Sequence, residues 1–252
     1  MKINILTLFP EIVRPYFTNS IPAKAIEKDI FSVDIVNIRD FALDKHRTCD
    51  DEPYGGGAGM VLKPEPVSLA LEKVTENLKT PVIIYPSPAG IPFDQSTAYE
   101  LSKEKELVFL CGRYEGLDQR IIDYYDIKEY SIGDYVLSAG ELAALVIVDA
   151  VIRLIDGVIT NESLREESFS SGLLEYPHYT RPAVFKGVPV PDVLLSGHHE
   201  NIRQWRLRKS IERTLDRRPD LLHNKALSEE EKAILENILE ERGRRNERDS
   251  GN

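Results

Sequence analysis

Short apolar, strand-like segments alternate with helix-like segments through the first half of the chain. This alternation limits the possible folds more than any other feature. The predicted strands are Ile3–Phe9, Val33–Ile38, Pro81–Tyr85 and Leu107–Leu110, and the helices between them include Pro66–Lys73 and Gln95–Ser102. Strands that alternate with helices are typical of a mostly parallel sheet covered by helices on both faces. The sequence therefore predicts an α/β fold.

The most hydrophobic segment, Glu141–Ile155, carries only three charged residues, Glu141, Asp149 and Arg153. It is shorter and more interrupted than the run of about 20 apolar residues that crosses a bilayer. A helix that is apolar nearly all round has to be buried in a core or in a subunit interface. We therefore predict a buried helix here, and no membrane association.

The charge balance is acidic, with 42 Asp and Glu residues against 32 Lys and Arg residues. This excess argues against a protein that coats nucleic acid nonspecifically, but it leaves room for a local basic patch. The two cysteines, Cys49 and Cys111, lie far apart in the sequence and have no metal-ligand spacing. They favour a reduced, cytoplasmic setting over a disulfide framework.

The second half changes character after residue 160. Residues 161–176 are polar and predict a flexible linker, and residues 177–252 predict a small, mainly helical domain behind an irregular, proline-rich start. Pro219 suits the start of a helix, and Ser228 with Glu231 forms a capping box. We expect the first 160 residues to form the α/β domain.

One predicted helix, which begins near His199, concentrates positive charge around the only tryptophan, Trp205. Between Arg203 and Arg218, its basic residues are Arg203, Arg206, Arg208, Lys209, Arg213, Arg217 and Arg218, against two acidic residues, Glu212 and Asp216. A basic helix that carries an aromatic residue suits contacts with RNA phosphates. The alternative is an ordinary solvated helix face.

Three glycine-bearing loops leave predicted strands or precede the apolar helix. They are Tyr85–Gly90, Cys111–Gly116 and Ser131–Glu141. In open α/β sheets, ligands bind beyond the carboxyl ends of the strands, where such loops converge. The loops therefore predict one ligand site, although each taken singly could be an unrelated turn. The glycine cluster Tyr54–Met60 has the same two interpretations, a close approach to a ligand or a flexible turn.

The histidines give little support for a metal site. His198 and His199 are adjacent, so their side chains diverge, and no third ligand at zinc spacing accompanies them. We expect no metal to bind there. His46 and His178 lie in polar loops, where they could contact a nucleotide or simply occupy the surface.

In their order along the chain, these motifs resemble the bacterial tRNA (guanine-N1)-methyltransferases that act on guanosine 37, next to the anticodon. The matching stretches are Leu8–Glu11, Asp44–Thr48, Tyr54–Met60, Cys111–Gly116, Ser131–Ser138, Gly172–Leu174, Pro177–Pro182 and Val193–Gly197. The resemblance implies a deep trefoil knot over roughly Tyr85–Gly140 that holds S-adenosylmethionine. It also implies a homodimer with active sites at the interface, tRNA as the substrate, and a requirement for Mg²⁺ at an unassigned site. No other protein partner is indicated.

The resemblance also implies roles for individual residues, carried over by position. The cofactor would be bound by Tyr85, Pro86, Ser87, Pro88, Gly90, Gly112, Tyr114, Glu115, Ile132, Gly133, Asp134, Tyr135, Val136, Leu137 and Gly140. The tRNA would be bound by Asp50, Gly59 and Arg113, together with Arg203, Arg206, Arg208 and Lys209 of the basic helix described above. Arg153 matches the family's catalytic arginine. Glu167 stands where the family usually has the aspartate proposed as the general base, with Glu166 and the more distant Glu175 as alternatives.

This residue set suits methylation of a guanine. Guanine N1 carries a proton and is a poor nucleophile until that proton leaves, so a nearby carboxylate is needed to accept it. Negative charge then builds on the base, and an arginine can stabilise it. The target base also has to leave its stack to enter a pocket, which a clamping domain would assist.

Overall fold

The computed structural model describes residues 1–160 and 167–249, with side chains described through residue 244. The chain divides into two compact units, Met1–Thr160 and Asn161–Asn252. The exact boundaries predicted for the α/β domain, the linker and the helical domain stay a prediction.

The first unit is built on a five-stranded sheet in which every strand pair is parallel. Its strands are β1 (Lys2–Thr7), β2 (Ser32–Asn37), β5 (Val82–Pro92), β6 (Glu106–Leu110) and β7 (Lys128–Ser131), in the spatial order β2-β1-β6-β5-β7. A separate antiparallel pair is formed by β3 (Asp50–Asp51) and β4 (Val61–Leu62). The predicted α/β fold with a parallel sheet is confirmed.

Helices cover both faces of this sheet. The helices of the unit are α1 (Pro10–Phe17), α2 (Ser20–Glu27), α3 (Pro64–Thr75), α4 (Gln95–Ser102), α5 (Gln119–Tyr124) and α6 (Gly140–Ile152), with a 3₁₀ turn at Ile38–Phe41. Successive strand residues point to opposite faces. On β6, Leu107 and Phe109 pack in one core with α1, α2, α4 and α6, while Val108 and Leu110 pack in the other with α3 and α5.

Strand β5 runs further than the sequence predicts. The predicted strand ends at Tyr85, whereas β5 continues to Pro92. Its pairing with β7 shifts register between Pro86 and Ile91, so the residues between them bulge out of the sheet. Proline cannot donate to a ladder of hydrogen bonds and is tolerated at such bulges. The bulge, rather than a loop after the strand, presents Ser87 to the end of the sheet.

Helix α6 is the predicted apolar helix, and it ends three residues earlier than expected, at Ile152. It is not buried on all sides within this chain. Ala144, Ile147, Val148 and Val151 are fully buried, but Leu142 and Val146 are 49% and 50% exposed. These two residues lie one helical turn apart, so one apolar stripe of the helix faces outward.

The second unit is mainly helical. Its helices are α7 (Asp192–Leu195), α8 (His199–Arg217), α9 (Pro219–Asn224) and α10 (Glu229–Asp249), and a short hairpin joins β8 (Val184–Phe185) to β9 (Val188–Pro189). The hairpin lies inside the stretch predicted to be irregular. The predicted helical C-terminal region is confirmed.

Two local features tie the second unit together. The capping box forms as predicted, because the Ser228 N–H donates to Oε2 of Glu231 at 2.7 Å and the Glu231 N–H donates to Oγ of Ser228 at 3.2 Å. A small core gathers Leu173, Ile211, Leu222 and Ile238. Leu173 is 2% exposed, so the end of the predicted linker packs within the helical unit.

Candidate functional site

A cavity of about 260 Å³ opens at the carboxyl ends of β5, β6 and β7. These strands are neighbours in the sheet, so the three glycine-bearing segments that follow or interrupt them converge, as predicted for an open α/β sheet. The size is near the lower end of the roughly 300–1,000 Å³ range of small-molecule sites. The lining comprises Tyr85–Pro88, Gly112–Gly116, Tyr130–Gly133, Tyr135–Gly140 and Ala143.

Two of the three segments touch through bare backbone. The Gly140 N–H donates to the Gly112 carbonyl oxygen at 3.0 Å. A Cβ at Gly140 would lie 2.6 Å from the Gly112 nitrogen, and a Cβ at Gly112 would lie 2.7 Å from the ring of Tyr85. Only glycine leaves the cavity open and the crossing intact at these two positions.

The segment from β7 to the start of α6, which includes Gly140, is also held by its own polar contacts. The Ser131 hydroxyl donates to the Gly133 carbonyl at 3.2 Å, and the Tyr135 hydroxyl donates to the Ile132 carbonyl at the same distance. Gly133 has a φ of +148°, a backbone conformation that side chains disfavour. Val136, at the tip, is 86% exposed, so the segment forms an outer wall with apolar residues facing solvent.

A buried ion pair lies beside the cavity. Glu141, in the first turn of α6, has a side chain that is 0% exposed, and Arg113, which lines the cavity, has a side chain that is 16% exposed. Nε of Arg113 lies 3.0 Å from Oε2 of Glu141, and the Thr7 hydroxyl donates to Oε1 at 2.5 Å. The Arg113 guanidinium also lies 4.4 Å from the ring centre of Phe9. Because a helix N-terminus favours negative charge, this position suits a carboxylate.

Burial controls the ionisation of two neighbouring side chains. It raises the pKa of the Cys111 thiol well above its ordinary value, and the Glu141 carboxylate raises it further, while Arg113 lowers it. Burial, followed by the charge of Glu129, raises the pKa of the Tyr85 hydroxyl. Both groups therefore stay protonated at neutral pH, so neither serves as an anionic nucleophile or base.

The structure brings most of the predicted cofactor residues to this one cavity. All of them line it except Gly90 and Asp134. Gly90 lies where a Cβ would sit 2.5 Å from the backbone of Glu129 and Tyr130, so its own backbone packs closely against β7. Asp134 is exposed on the outer segment.

The predicted catalytic residues belong to different units. Arg153 caps the C-terminus of α6 and is half-buried. Glu167 is half-buried within the second unit, just before a turn in which the Phe169 N–H donates to the Leu173 carbonyl at 2.8 Å. The alternative base Glu166 lies outside the described residues. Glu175 contacts Nε2 of His178 at 2.7 Å.

The predicted tRNA-binding residues of the first unit lie in three places. Asp50 is half-buried in β3, and Arg113 lines the cavity. Gly59 has a φ of +94°, and a Cβ there would overlap the side chain of Glu115. The glycine cluster therefore approaches a cavity residue closely, which favours its interpretation as part of the site.

The predicted tRNA-binding residues of helix α8 are largely engaged by carboxylates of the same unit. Arg203 pairs with Glu200 at 2.8 Å and with Glu230 at 2.5 Å. Arg208 pairs with Glu212 at 2.9 Å and with Glu241 at 2.6 Å, and Lys209 pairs with Glu212 at 2.7 Å. Arg206 lies over the ring of Tyr176 at 4.8 Å. Three of the four predicted tRNA-binding cations of α8 are thus paired with carboxylates within the fold.

Sequence reasoning missed the buried pair of Arg113 and Glu141 as a unit. The available signal was a glutamate at the start of an otherwise apolar helix, since a buried charge needs a partner. Among the described residues, no group of three or more potential metal ligands occurs, and no helix is long and apolar enough to cross a membrane.

Comparison with known proteins identifies the family. The family described as tRNA (Guanine-1)-methyltransferase TrmD matches residues 1–224. Three similar proteins are each named tRNA (guanine-N(1)-)-methyltransferase. The one from Treponema denticola is 65% identical over 222 residues, covering 88% of this chain and 90% of the relative. The one from Borrelia hermsii is 61% identical over 223 residues, covering 88% and 92%. The one from Brevibacillus brevis is 54% identical over 243 residues, covering 96% and 100%. From these matches, the chain belongs to the tRNA (guanine-1)-methyltransferase family.

Proposed function

We propose that this protein transfers a methyl group from S-adenosylmethionine to N1 of guanosine 37 in tRNA. The observation that carries the proposal is the cavity at the ends of β5, β6 and β7, in a chain whose family match covers residues 1–224. The similar proteins are named for methylation of a tRNA guanine at N1. The methyl donor and the position in the tRNA are the finer parts of the proposal.

The cavity residues fit S-adenosylmethionine. Gly112 and Gly140 leave space next to their backbone. A Cβ at Gly112 would collide with Tyr85, and a Cβ at Gly140 would collide with the backbone of Gly112. Ile132 and Leu137 offer apolar side chains that suit the purine ring of S-adenosylmethionine. The Glu115 carboxylate offers a negative charge for the positively charged part of the same molecule. When bound, S-adenosylmethionine supplies an electrophilic methyl group on a positively charged sulfur. The enclosing segments orient that group and exclude water.

Glu167 is proposed as the general base that takes the proton from guanine N1. Its carboxylate has nearly the same intrinsic pKa as the aspartate usual in the family, so either can accept the proton. The Ser168 hydroxyl accepts a hydrogen bond from the Glu175 N–H at 3.0 Å, and this contact fixes the turn that follows Glu167. Arg153 is proposed to stabilise the negative charge that develops on the base.

A homodimer is the proposed working form. The exposed stripe of α6, Leu142 and Val146, lies on the helix that follows the outer wall of the cavity, where Tyr135 and Val136 are also exposed. A stripe of this kind on an otherwise buried helix supports a subunit interface. An interface there would bring a second chain next to the cavity. We expect a dimer at sub-micromolar concentration in analytical ultracentrifugation.

We further propose a deep trefoil knot over roughly Tyr85–Gly140. Its support is the close crossing of Gly140 against Gly112 and the packing of Gly90 against the backbone of β7. A cytoplasmic location follows from the proposed substrate. A requirement for Mg²⁺ also stays a proposal, and the described residues do not form a metal site from protein ligands alone. No step is assigned to Mg²⁺.

Single-turnover methylation of a tRNA transcript tests the general base. Glu167→Gln removes the charge but keeps the shape, so we expect a rate loss of about 10²- to 10⁴-fold with nearly normal binding of S-adenosylmethionine and tRNA. Glu166→Gln is the matched control and should be much milder. A dead Glu166→Gln with an active Glu167→Gln would move the assignment by one residue.

The target nucleotide is tested separately. Mass spectrometry after incubation with unmodified tRNA should place the methyl group on N1 of guanosine 37. A transcript in which that guanosine is replaced by adenosine should accept no methyl group. Equal methylation of both transcripts would overturn the proposed position.

A further inference from the structure

The helical unit carries a cluster of aromatic rings that the cavity described above does not use. Tyr176 and His178 lie 4.9 Å apart between ring centres, and Tyr179 and Trp205 lie 6.2 Å apart, with tilted planes in both pairs. The guanidinium of Arg206 lies 4.8 Å from the centre of the Tyr176 ring. We call these five residues the aromatic cluster.

Two members of this cluster, His178 and Tyr179, are exposed, and the other three are half-buried. Residues 178–189 are all exposed. The ring-bearing residue Tyr179 is 48% exposed, Phe185 in the hairpin is 64% exposed, and the His178 side chain is 63% exposed. A folded segment that presents several apolar or aromatic side chains to water forgoes the stabilisation of burying them. Exposed apolar patches of this kind mark binding surfaces.

The charge next to the cluster suits a polyanion. Residues 176–191 contain no Asp or Glu, although the whole chain is acidic, and they include Arg181 and Lys186. Arg181 is exposed and has no ion-pair partner among the described residues. The cations of α8 differ, because Arg203 and Arg208 are held by carboxylates. A phosphate near the cluster would therefore meet the positive charge of Arg181, which no carboxylate of the described residues already pairs with.

We propose that the aromatic cluster is a stacking site for an unpaired nucleotide of the RNA substrate. Unpaired bases stack on Tyr, Trp and His rings and on Arg guanidinium planes, whereas paired bases in a helix are not available to do so. Tyr179 supplies an exposed ring next to the half-buried ring of Trp205, and Arg181 supplies charge for the adjoining phosphate. The inference rests on the proposed function, since it takes tRNA as the substrate.

The single tryptophan makes the site directly observable, because Trp205 is the only one in the chain. We would titrate the full-length protein with an anticodon stem-loop RNA and follow tryptophan fluorescence. Stacking at the cluster should quench or shift the emission of Trp205. A blunt-ended RNA duplex of two complementary strands, which has no unpaired bases, serves as the comparison and should leave the emission nearly unchanged.

Substitutions of Tyr179 separate stacking from charge. Tyr179→Leu should weaken RNA binding by about 5- to 150-fold, the range expected for the loss of one stacked base. Tyr179→Phe keeps the ring and should stay within about twofold of the wild type. Tyr124→Leu, at a tyrosine that is 82% exposed in the other unit, is the matched control and should bind normally.

Salt dependence gives a second measure. The slope of log affinity against log salt should be the same for Tyr179→Leu and the wild type, because a stacked ring releases no counterions. Arg181→Gln should reduce that slope by about one. If Tyr179→Leu lost RNA affinity and also changed the slope of log affinity against log salt, this result would contradict stacking.

Three further outcomes distinguish failure of the proposed stacking site from failure of the proposed function. A wild type that methylates tRNA, combined with normal RNA affinity of Tyr179→Leu and unchanged Trp205 emission, overturns the stacking site alone. A wild type that neither binds nor methylates tRNA overturns the proposed function itself. Conversion of the protein to a monomer by Tyr179→Leu would show that the cluster contacts a second copy of the chain, which also overturns the stacking site.

Discussion

The buried pair of Arg113 and Glu141 gives the most direct test of how the cavity is held in place. Glu141→Gln removes the charge but keeps the size of the side chain and an oxygen that can accept from Thr7. The guanidinium of Arg113, with its side chain 16% exposed, then loses its carboxylate. Breaking a buried ion pair by removing one partner costs about 3–5 kcal/mol, because the remaining charge is uncompensated.

That cost is large enough to measure by thermal unfolding. For a domain of this size, about 1 kcal/mol shifts the unfolding temperature by roughly 2–4 °C, so we expect a loss of about 6–20 °C. The matched control is Glu76→Gln, which breaks the pair of Lys73 and Glu76, whose side chains are 67% and 60% exposed. An exposed pair contributes about 0–1 kcal/mol, so this control should shift the temperature only slightly.

A double variant decides whether the two side chains act together. Arg113→Met with Glu141→Gln removes both charges, so its loss of stability should be clearly smaller than the sum of the two single losses. Additive losses would refute the coupling. Equal temperature shifts for Glu141→Gln and Glu76→Gln would refute the premise that burial makes this pair important.

Three further predictions follow from single contacts. Gly140→Ala places a methyl group 2.6 Å from the Gly112 nitrogen, so calorimetry should show no binding of S-adenosylmethionine, and normal binding would refute the cavity assignment. Ser228→Ala removes half of the capping box and should lower the free energy of unfolding by about 1 kcal/mol in a urea titration. The Thr97 N–H and the Ser96 hydroxyl lower the pKa of Asp94. Its stabilisation is therefore present above the unfolded pKa of about 4 and lost as the pH falls through the lower folded pKa. Asp94→Ala should be less stable than the wild type at neutral pH, and this difference should disappear in strong acid.

Strands rich in apolar residues were predictable, including the edge strand β2, whereas strand β7 was not. Leu107–Leu110 reads as a continuous apolar run because its residues point alternately into two cores. The edge strand β7 has the sequence Lys-Glu-Tyr-Ser, which carries no such run, so its pairing depends on β5 rather than on its own composition. The extension of β5 beyond Tyr85 contains three prolines and likewise has no continuous apolar run, so it was not predicted.

The candidate site was also predictable in part. The glycine loops predicted one cavity because the carboxyl ends of neighbouring parallel strands must meet. The partners of charged side chains were not predictable, since Thr7 lies 134 residues from Glu141 along the chain. Likewise, the neutralisation of Arg203 and Arg208 depends on Glu230 and Glu241 of α10. Sequence shows the excess charge of one helix, but only packing shows which carboxylates lie opposite.

The position of β1 inside the sheet has a consequence for synthesis on the ribosome. β1 pairs on one side with β2, which follows soon after it, but on the other side with β6, which begins only at Glu106. A growing chain that has not yet reached that residue therefore carries an open, apolar strand edge, of the kind that pairs with other chains. At about 5–20 residues per second, this interval lasts several seconds. Nascent chains that stall before β6 should be the species most in need of chaperone protection.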